Sequence, residues 1–398
     1  MNEMLIEFQT TKNSKIKKLK WLYALIRNFG PVKVETLVEK TNMKPATCAR
    51  MLDQLIKGKL ISGSEFGEST GGRKPILYRI NPNEAYVIGI EVTNLYSTIL
   101  VLNLNLDIRG QIKMKTTNIH SIYETLDALI PKIEDLLSSH HLGVKDILGI
   151  GISIDDLFNQ TDQTNESVSV QIKKIEDYIH SKIPIYVTLG SGVNFAALSE
   201  HRLHFSALSE RFLFTMCDIE IRICTITGGD IPYTEPHKTN TFGHVTVDIN
   251  GSRCQCGSYG CLYTFSSLAA IKNKVIQFIK RGKPSILLEM VDSIEEIDYH
   301  LILKAIEKGD VLCTEVLEEA AYYYGIALSN IILTYQPDTV VCGGTLVPKG
   351  SFFEVTKQIV EQKLKNYPQL KTAIFPANDS YEIVSQGAGG MVLNHLLA

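Results

Sequence analysis

Four residues within eighteen positions carry the most specific chemistry in this chain: His244, Cys254, Cys256 and Cys261. Three thiolates and one imidazole make a complete ligand set for tetrahedral zinc. A site with all four positions filled by protein is structural, because no place is left for a reactive water. Gly251, Gly257 and Gly260 lie between the ligands and permit the tight turns that gather closely spaced sulfurs onto one ion. Redox-active thiols and buried free cysteines are the competing readings. The other five cysteines, Cys48, Cys217, Cys224, Cys313 and Cys342, are scattered, mostly through apolar stretches. They read as small core residues rather than as a disulfide framework.

A second constellation lies near the N-terminus. Val34 to Leu55 fits a helix, a short turn and a second helix, the arrangement that lays its second helix in the major groove of double-stranded DNA. The buried face of that second helix is expected to be Ala49, Leu52, Leu55 and Ile56, which leaves Lys44, Thr47 and Arg50 on the other side near the helix start. An arginine there can pair with guanine, and a threonine can meet a thymine methyl or a phosphate. The loop GESTGGRKP between two expected short strands offers Arg73 and Lys74 to phosphate or the minor groove. Residues 1–85 carry 15 Lys/Arg against 8 Asp/Glu, a balance of +7, while the remainder stands at −10. A basic head on an acidic body suits a head that meets a polyanion. A basic helical module that merely oligomerises is the alternative.

The elements that must position these groups follow from pattern. At 398 residues the chain suits two or three domains, and 44% hydrophobic with 21% charged residues is a globular composition. No apolar run approaches the roughly 18 residues needed to span a bilayer. The first residues, MNEMLIEFQTTKNSKIKKLK, place apolar residues before lysines, the reverse of an export signal, so the cytoplasm is expected and no membrane partner. Helices and a short hairpin are expected over 1–82. From Tyr86, strands alternate with helices: YVIGIEV, STILVLNLNL, GQIKMKTTN, ILGIGISI and IPIYVT, then a restart at RFLFTMC and IRICTIT. A long helix starts after Asp310, a good N-cap, and Pro337 stops it. Two rounds of antiparallel strands followed by βα elements imply an α/β body of two lobes with a cleft between them. The expected divisions are 1–82, a first lobe over 83–200 joined by a closing helix at 384–398, and a second lobe over 201–383.

At GHVTVDINGSRCQCGSYGCLYTFSS the chain resembles the ROK family of repressors and sugar kinases, and the resemblance runs over essentially its whole length. The head and its TGGRKPILYRINP junction are similar to those of the family's repressors, particularly the xylose-repressor type. The resemblance implies a winged helix-turn-helix followed by an actin- or hexokinase-like body of duplicated ribonuclease H-like lobes. It also implies a structural zinc on His244, Cys254, Cys256 and Cys261.

The departures from the family's kinases are equally informative. Their early Asp-x-Gly-Gly-Thr turn corresponds to Glu91-Val92-Thr93-Asn94, and their second glycine loop to Asp218 through Cys224, with no glycine in either. Of the nucleotide contacts only Gly343-Gly344 survives, and it reads equally as a strand-to-helix turn. The catalytic base position is Gly192, so no proton acceptor remains there for phosphoryl transfer. Among sugar contacts, two glutamates are replaced by Tyr263 and Thr241. A new effector set of Asp155, Ser191, Asn194, His244 and Tyr263 is the residue-level expectation. The resemblance therefore implies a DNA-binding regulator, a repressor of carbohydrate-related genes, acting as a homodimer or homotetramer on an operator. A sugar or sugar derivative is the expected effector. An active sugar kinase with an accessory head, or an effector-blind regulator whose body only oligomerises, are the alternatives.

Overall fold

The computed structural model describes residues 2–10, 13–65, 76–93, 96–116, 122–154, 168–205, 209–228, 231, 241–378 and 382–397. By contacts the chain divides into two compact units, Met1–Ala207 with Tyr381–Ala398, and Leu208–Ser380.

The first unit begins with α1 (Glu3–Thr10), α2 (Ser14–Phe29), β1 (Val32–Lys33), α3 (Val34–Thr41) and α4 (Pro45–Lys57), then β2 (Ile61–Glu65) and β3 (Ile76–Ile80). Asn13 caps α2 by accepting from the Lys15 amide at 2.9 Å. α3 ends where Asn42 turns left-handed at φ 51°, a conformation asparagine tolerates better than most residues. Pro45 opens α4, where its missing N–H has no helical partner to lose. β2 and β3 pair antiparallel, and β1 adds to the far edge of β3, giving the order β1-β3-β2. The reading of 1–82 anticipated α2 to α4 and the hairpin but assigned neither α1 nor the two-residue β1. On α4 the buried stripe is Cys48, Met51, Leu52 and Leu55. Ala49 and Ile56, expected on that stripe, are exposed instead. The stripe starts one residue earlier than expected, and its centre is rotated by about 60°.

The same unit continues with β4 (Tyr86–Val92), β5 (Tyr96–Asn103), β6 (Ile108–Lys115), α5 (Ile122–Ser139), β7 (Ile147–Ile154), α6 (Val168–Lys182), β8 (Tyr186–Gly190) and α7 (Gly192–Glu200). α7 runs on into a π-helical turn over His201–Phe205. The sheet order is β6-β5-β4-β7-β8, with β4, β7 and β8 parallel and β5 and β6 antiparallel. α5 and α6 bury Leu126, Leu129, Ile133, Ile175 and Ile179 against Ile88, Ile90, Ile150 and Ile152.

The second unit holds β9 (Arg211–Cys217), β10 (Ile221–Thr227), α8 (Tyr263–Ser266), α9 (Leu268–Lys280), α10 (Tyr299–Glu307), α11 (Val311–Tyr335), β11 (Thr339–Gly343), α12 (Phe352–Leu364) and β12 (Ala373–Pro376). Its order, β10-β9-β11-β12, is antiparallel then parallel and parallel. It repeats β5-β4-β7-β8 of the first lobe and lacks a described counterpart of β6. This is the duplicated ribonuclease H-like plan. Asp310 caps α11 as anticipated, accepting from the Cys313 amide at 2.7 Å. α11 then buries Leu312, Val316, Leu317, Ala320, Tyr324 and Leu328 in the core of the unit.

The chain returns to the first unit as α13 (Ile383–Leu397). This helix lies so near the sheet that a Cβ on Gly89 would sit 1.8 Å from the Ser385 carbonyl oxygen, and one on Gly151 2.0 Å from that of Ala388. Only glycine permits that approach. The last turns of α13 join a core shared with the head: Leu19, Leu22, Tyr23 and Ile26 of α2 cluster with Val87, Leu100, Leu148, Val392, Leu393 and Leu397. Among the described residues no helix is long and apolar enough to cross a membrane.

Candidate metal centre and nucleic-acid interface

The segment before α8 is built from turns rather than strands, and its backbone bonds explain why four side chains converge. Val247 donates to Gly260 O at 2.9 Å and Leu262 donates to Val245 O at 2.9 Å, which clamps the His244 end to the Cys261 end. Cys254 donates to Ser258 O at 2.8 Å and Gly257 to Cys254 O at 2.9 Å, which closes a tight loop around Cys256. Gly257 and Gly260 sit at φ 90° and 66°. Gly260 is the demanding position, since a Cβ there would lie 1.6 Å from Asp248 O.

The result is a cluster whose four donor atoms, one each from His244, Cys254, Cys256 and Cys261, all lie within 4.8 Å of one another. Cys254 Sγ is 3.5 Å from His244 Nδ1, and Cys256 Sγ is 3.7 Å from Cys261 Sγ. A tetrahedral ion with metal–sulfur bonds of about 2.3 Å and metal–nitrogen bonds of about 2.0 Å imposes edges of about 3.8 Å between sulfurs and about 3.5 Å between sulfur and nitrogen. The cluster has the dimensions to hold a metal ion.

Its protonation is uneven. The Ser258 amide on Cys256 holds that thiol below the ordinary value. Burial, reinforced by hydrogen bonds with Cys256 and Cys254, pushes Cys261 up to about 12. Burial lowers His244 and favours the neutral, ligating imidazole. Cys48, Cys217, Cys224, Cys313 and Cys342 are all buried and free, as their apolar surroundings implied.

In the head, α3 and α4 are joined by Asn42, Met43 and Lys44. Lys44 is the N-cap of α4 and is exposed, Thr47 is half-buried and Arg50 is exposed. All three stand at the N-terminal half of α4, off its buried stripe. Arg73 and Lys74 lie outside the described residues.

The effector candidates fall into two groups. Ser191 and Asn194 share the start of α7, both buried, and the Ser191 hydroxyl has no hydrogen-bond partner among the described residues. Gly192 is the first residue of that helix. In the second unit, the His244 and Tyr263 rings neighbour each other with centroids 6.1 Å apart. Asp155 lies outside the described residues. The stretch expected to correspond to the kinases' second glycine loop is here a tight β9–β10 turn, in which Asp218 N donates to Glu220 O at 3.1 Å. The Asp218 carboxylate accepts from the Thr345 amide at 2.6 Å. Gly344, at φ 98°, packs so that a Cβ would lie 2.5 Å from Cys217 O, so the surviving glycine pair serves a close turn. The Asp218 contact was not read from the sequence, because the partner amide is 127 residues away.

The ROK family model matches residues 87–394. The chain is 23% identical over 389 residues to the DNA-binding transcriptional dual regulator NagC of Escherichia coli, spanning 94% of each. It is 22% identical over 392 residues to the xylose repressor of Bacillus spizizenii, spanning 96% of each. Among solved structures it is similar to a ROK family transcriptional regulator, a homolog of the E. coli MLC protein. That match has a TM-score of 0.76 at 20% identity and covers 96% of this chain and 97% of that one. A ROK hexokinase from Thermus thermophilus matches with a TM-score of 0.60 at 20% identity, covering 76% of this chain and 96% of the hexokinase. The two structural likenesses establish the fold, that of an actin- or hexokinase-like body, and the regulator's likeness extends over the head as well. With a family model that spans most of its length, the chain belongs to the ROK family.

Proposed function

We propose that this chain is a sequence-specific DNA-binding repressor of carbohydrate-related genes, acting in the cytoplasm as a symmetric homo-oligomer. Three working parts follow the expected divisions: a reading head over 1–82, a first lobe with the closing helix, and a metal-bearing second lobe. One observation carries the proposal. The head lies outside the family model and presents Lys44, Thr47 and Arg50 beside a helix-turn-helix turn, while relatives named as regulators match the chain along nearly all its length. Arg73 and Lys74 at the wing tip would add phosphate or minor-groove contacts.

The body on this reading does no phosphoryl transfer. Gly192 offers no base, and the amide of Thr345, in the turn that would otherwise cradle phosphate, is held by the Asp218 carboxylate. A sugar or sugar derivative would act as effector through Ser191, Asn194, Asp155, His244 and Tyr263, favouring one disposition of paired heads over another. A bound zinc on His244, Cys254, Cys256 and Cys261 would hold the loop before α8 in shape; it supplies structure and no reaction.

The test is in-vitro selection of a duplex from a random pool on the purified chain, followed by titration of the enriched and scrambled duplexes. Preference for the enriched duplex by a factor of about 10³ or more supports the proposal. Equal affinity for both overturns it.

A further inference from the structure

The apolar core that α2 shares with the first lobe fixes distance without fixing direction, because hydrophobic contact is non-directional. Direction comes from a polar joint at its border. Arg27, in the last turn of α2, donates to the Leu393 carbonyl at 2.8 Å and to the Asn394 side-chain oxygen at 3.4 Å, both in α13. A cation is well placed at the C-terminal end of a helix. The same Asn394 oxygen accepts from Arg202, which also donates to the Gly390 carbonyl at 3.3 Å. One amide oxygen thus serves two guanidinium groups, one from the head and one from the lobe.

Arg202 stands in the π-helical turn His201–Phe205 that extends α7. Such turns are rare, and they occur frequently where a helix must accommodate function. α7 itself starts beside Ser191 and Asn194 and packs along α13 at a constant register. Phe195 backbone meets Gly387, Leu198 meets Gly390 and Arg202 meets Asn394. A displacement at the start of α7 therefore arrives at Asn394, and Asn394 also holds Arg27.

We propose that Arg27, Asn394 and Arg202 are positioning residues that fix the orientation of the reading head on the first lobe and pass movement of α7 to α2. The inference deepens the proposed function and rests on the DNA-binding reading of the head. Asn394 is the hub, and its carbonyl oxygen rather than its amide hydrogens makes the joint. Asn394→Asp keeps the acceptor; Asn394→Leu removes it at similar volume.

The experiment uses the full chain and two readouts at a distance. Trp21, the single tryptophan, stands half-exposed on α2, so its emission reports the head, and amide exchange over 201–205 reports the far end. Arg27→Ala is expected to speed exchange over 201–205 by about tenfold although the hydrogen bonds it removes are to α13, and Arg202→Ala is expected to shift Trp21 emission. Both distant effects should vanish when Asn394→Leu is already present, and Asn394→Asp should behave as the parent. Affinity for the selected duplex should fall about tenfold in Asn394→Leu and recover in Asn394→Asp, with the scrambled duplex unaffected. Effects confined to each arginine's own helix, or strictly additive with Asn394→Leu, overturn the proposal. If the parent chain selects no duplex, the DNA-binding reading fails, while emission and exchange still decide the joint.

Discussion

Cys261 is the most deeply buried member of the His/Cys cluster, and burial pushes its thiol up to about 12. Giving up that proton is favourable only if a cation replaces it, so the residue makes a sharp test of the centre. Cys261→Ser is expected to reduce zinc measured by elemental analysis from one ion per chain to a small fraction. It should also lower the melting temperature by on the order of 10 °C. A variant that keeps both metal and melting point would remove the structural role. The residues proposed to read DNA differ in kind. Arg50→Ala is expected to weaken the selected duplex by about 1–3 kcal/mol and to relax preference at one base pair. Lys44→Ala should weaken all duplexes alike and reduce the salt slope by about 1. Competition titrations with single-base variants separate the two. The convergence of His244, Cys254, Cys256 and Cys261 was legible in sequence because they are close along the chain, their spacing itself encoding the turns. The Asp218–Thr345 bond and the Arg27–Asn394–Arg202 joint were not, since their partners are brought together only by the fold.

Among the elements, α11 shows how one side chain sets a helix. Asp310 accepts from the Cys313 amide, from the Ile286 amide at 2.8 Å and from the Ser285 hydroxyl at 2.8 Å. Burial alone would raise its carboxyl, but those donors outweigh burial and hold it below its ordinary 3.8. A depressed folded value means that the stabilisation is present above 3.8 and is lost as pH falls through the lower folded value. The gap in unfolding free energy between parent and Asp310→Asn should stay flat from about pH 7 to about pH 5 and narrow below about pH 4. Asp310→Ala should cost roughly 2–4 kcal/mol by denaturant titration at neutral pH, since it strands three donors. The α13 contact makes a second contrast. Gly151→Ala drives a Cβ into the Ala388 carbonyl and should cost roughly 3 kcal/mol or more, whereas Gly282→Ala, at φ 88° in open space, should cost about 1 kcal/mol. Strands such as ILGIGISI and the Asp310 cap were readable because periodicity and capping are local. The stripe of α4 was misplaced by one residue because Cys48 and Ala49 are both small, and nothing local tells which of them faces α2 and α3. The π-turn has no local signature either.

For the whole molecule the decisive quantity is where the charge sits. A chain of net charge −3 with its charge evenly spread would be repelled by DNA, yet +7 resides in the first 85 residues against −10 elsewhere. Binding through the head must therefore release cations from the duplex, while the acidic body contributes repulsion that salt screens. These two terms oppose each other, so total charge does not predict the outcome and the slope does. If Lys44 and the wing lysine and arginine of two heads meet phosphates, log affinity should fall against log salt with a slope of about −5. A body held near the duplex would flatten the slope. Measured by anisotropy across a salt series, a slope near zero would mean that the basic segment is solvated surface and that the head does not read DNA. A steep slope for the scrambled duplex but no preference for the selected one would leave a polyanion binder without a code. Only a steep slope together with retained preference at the highest salt meets both demands, because base contacts persist where phosphate contacts have been screened away.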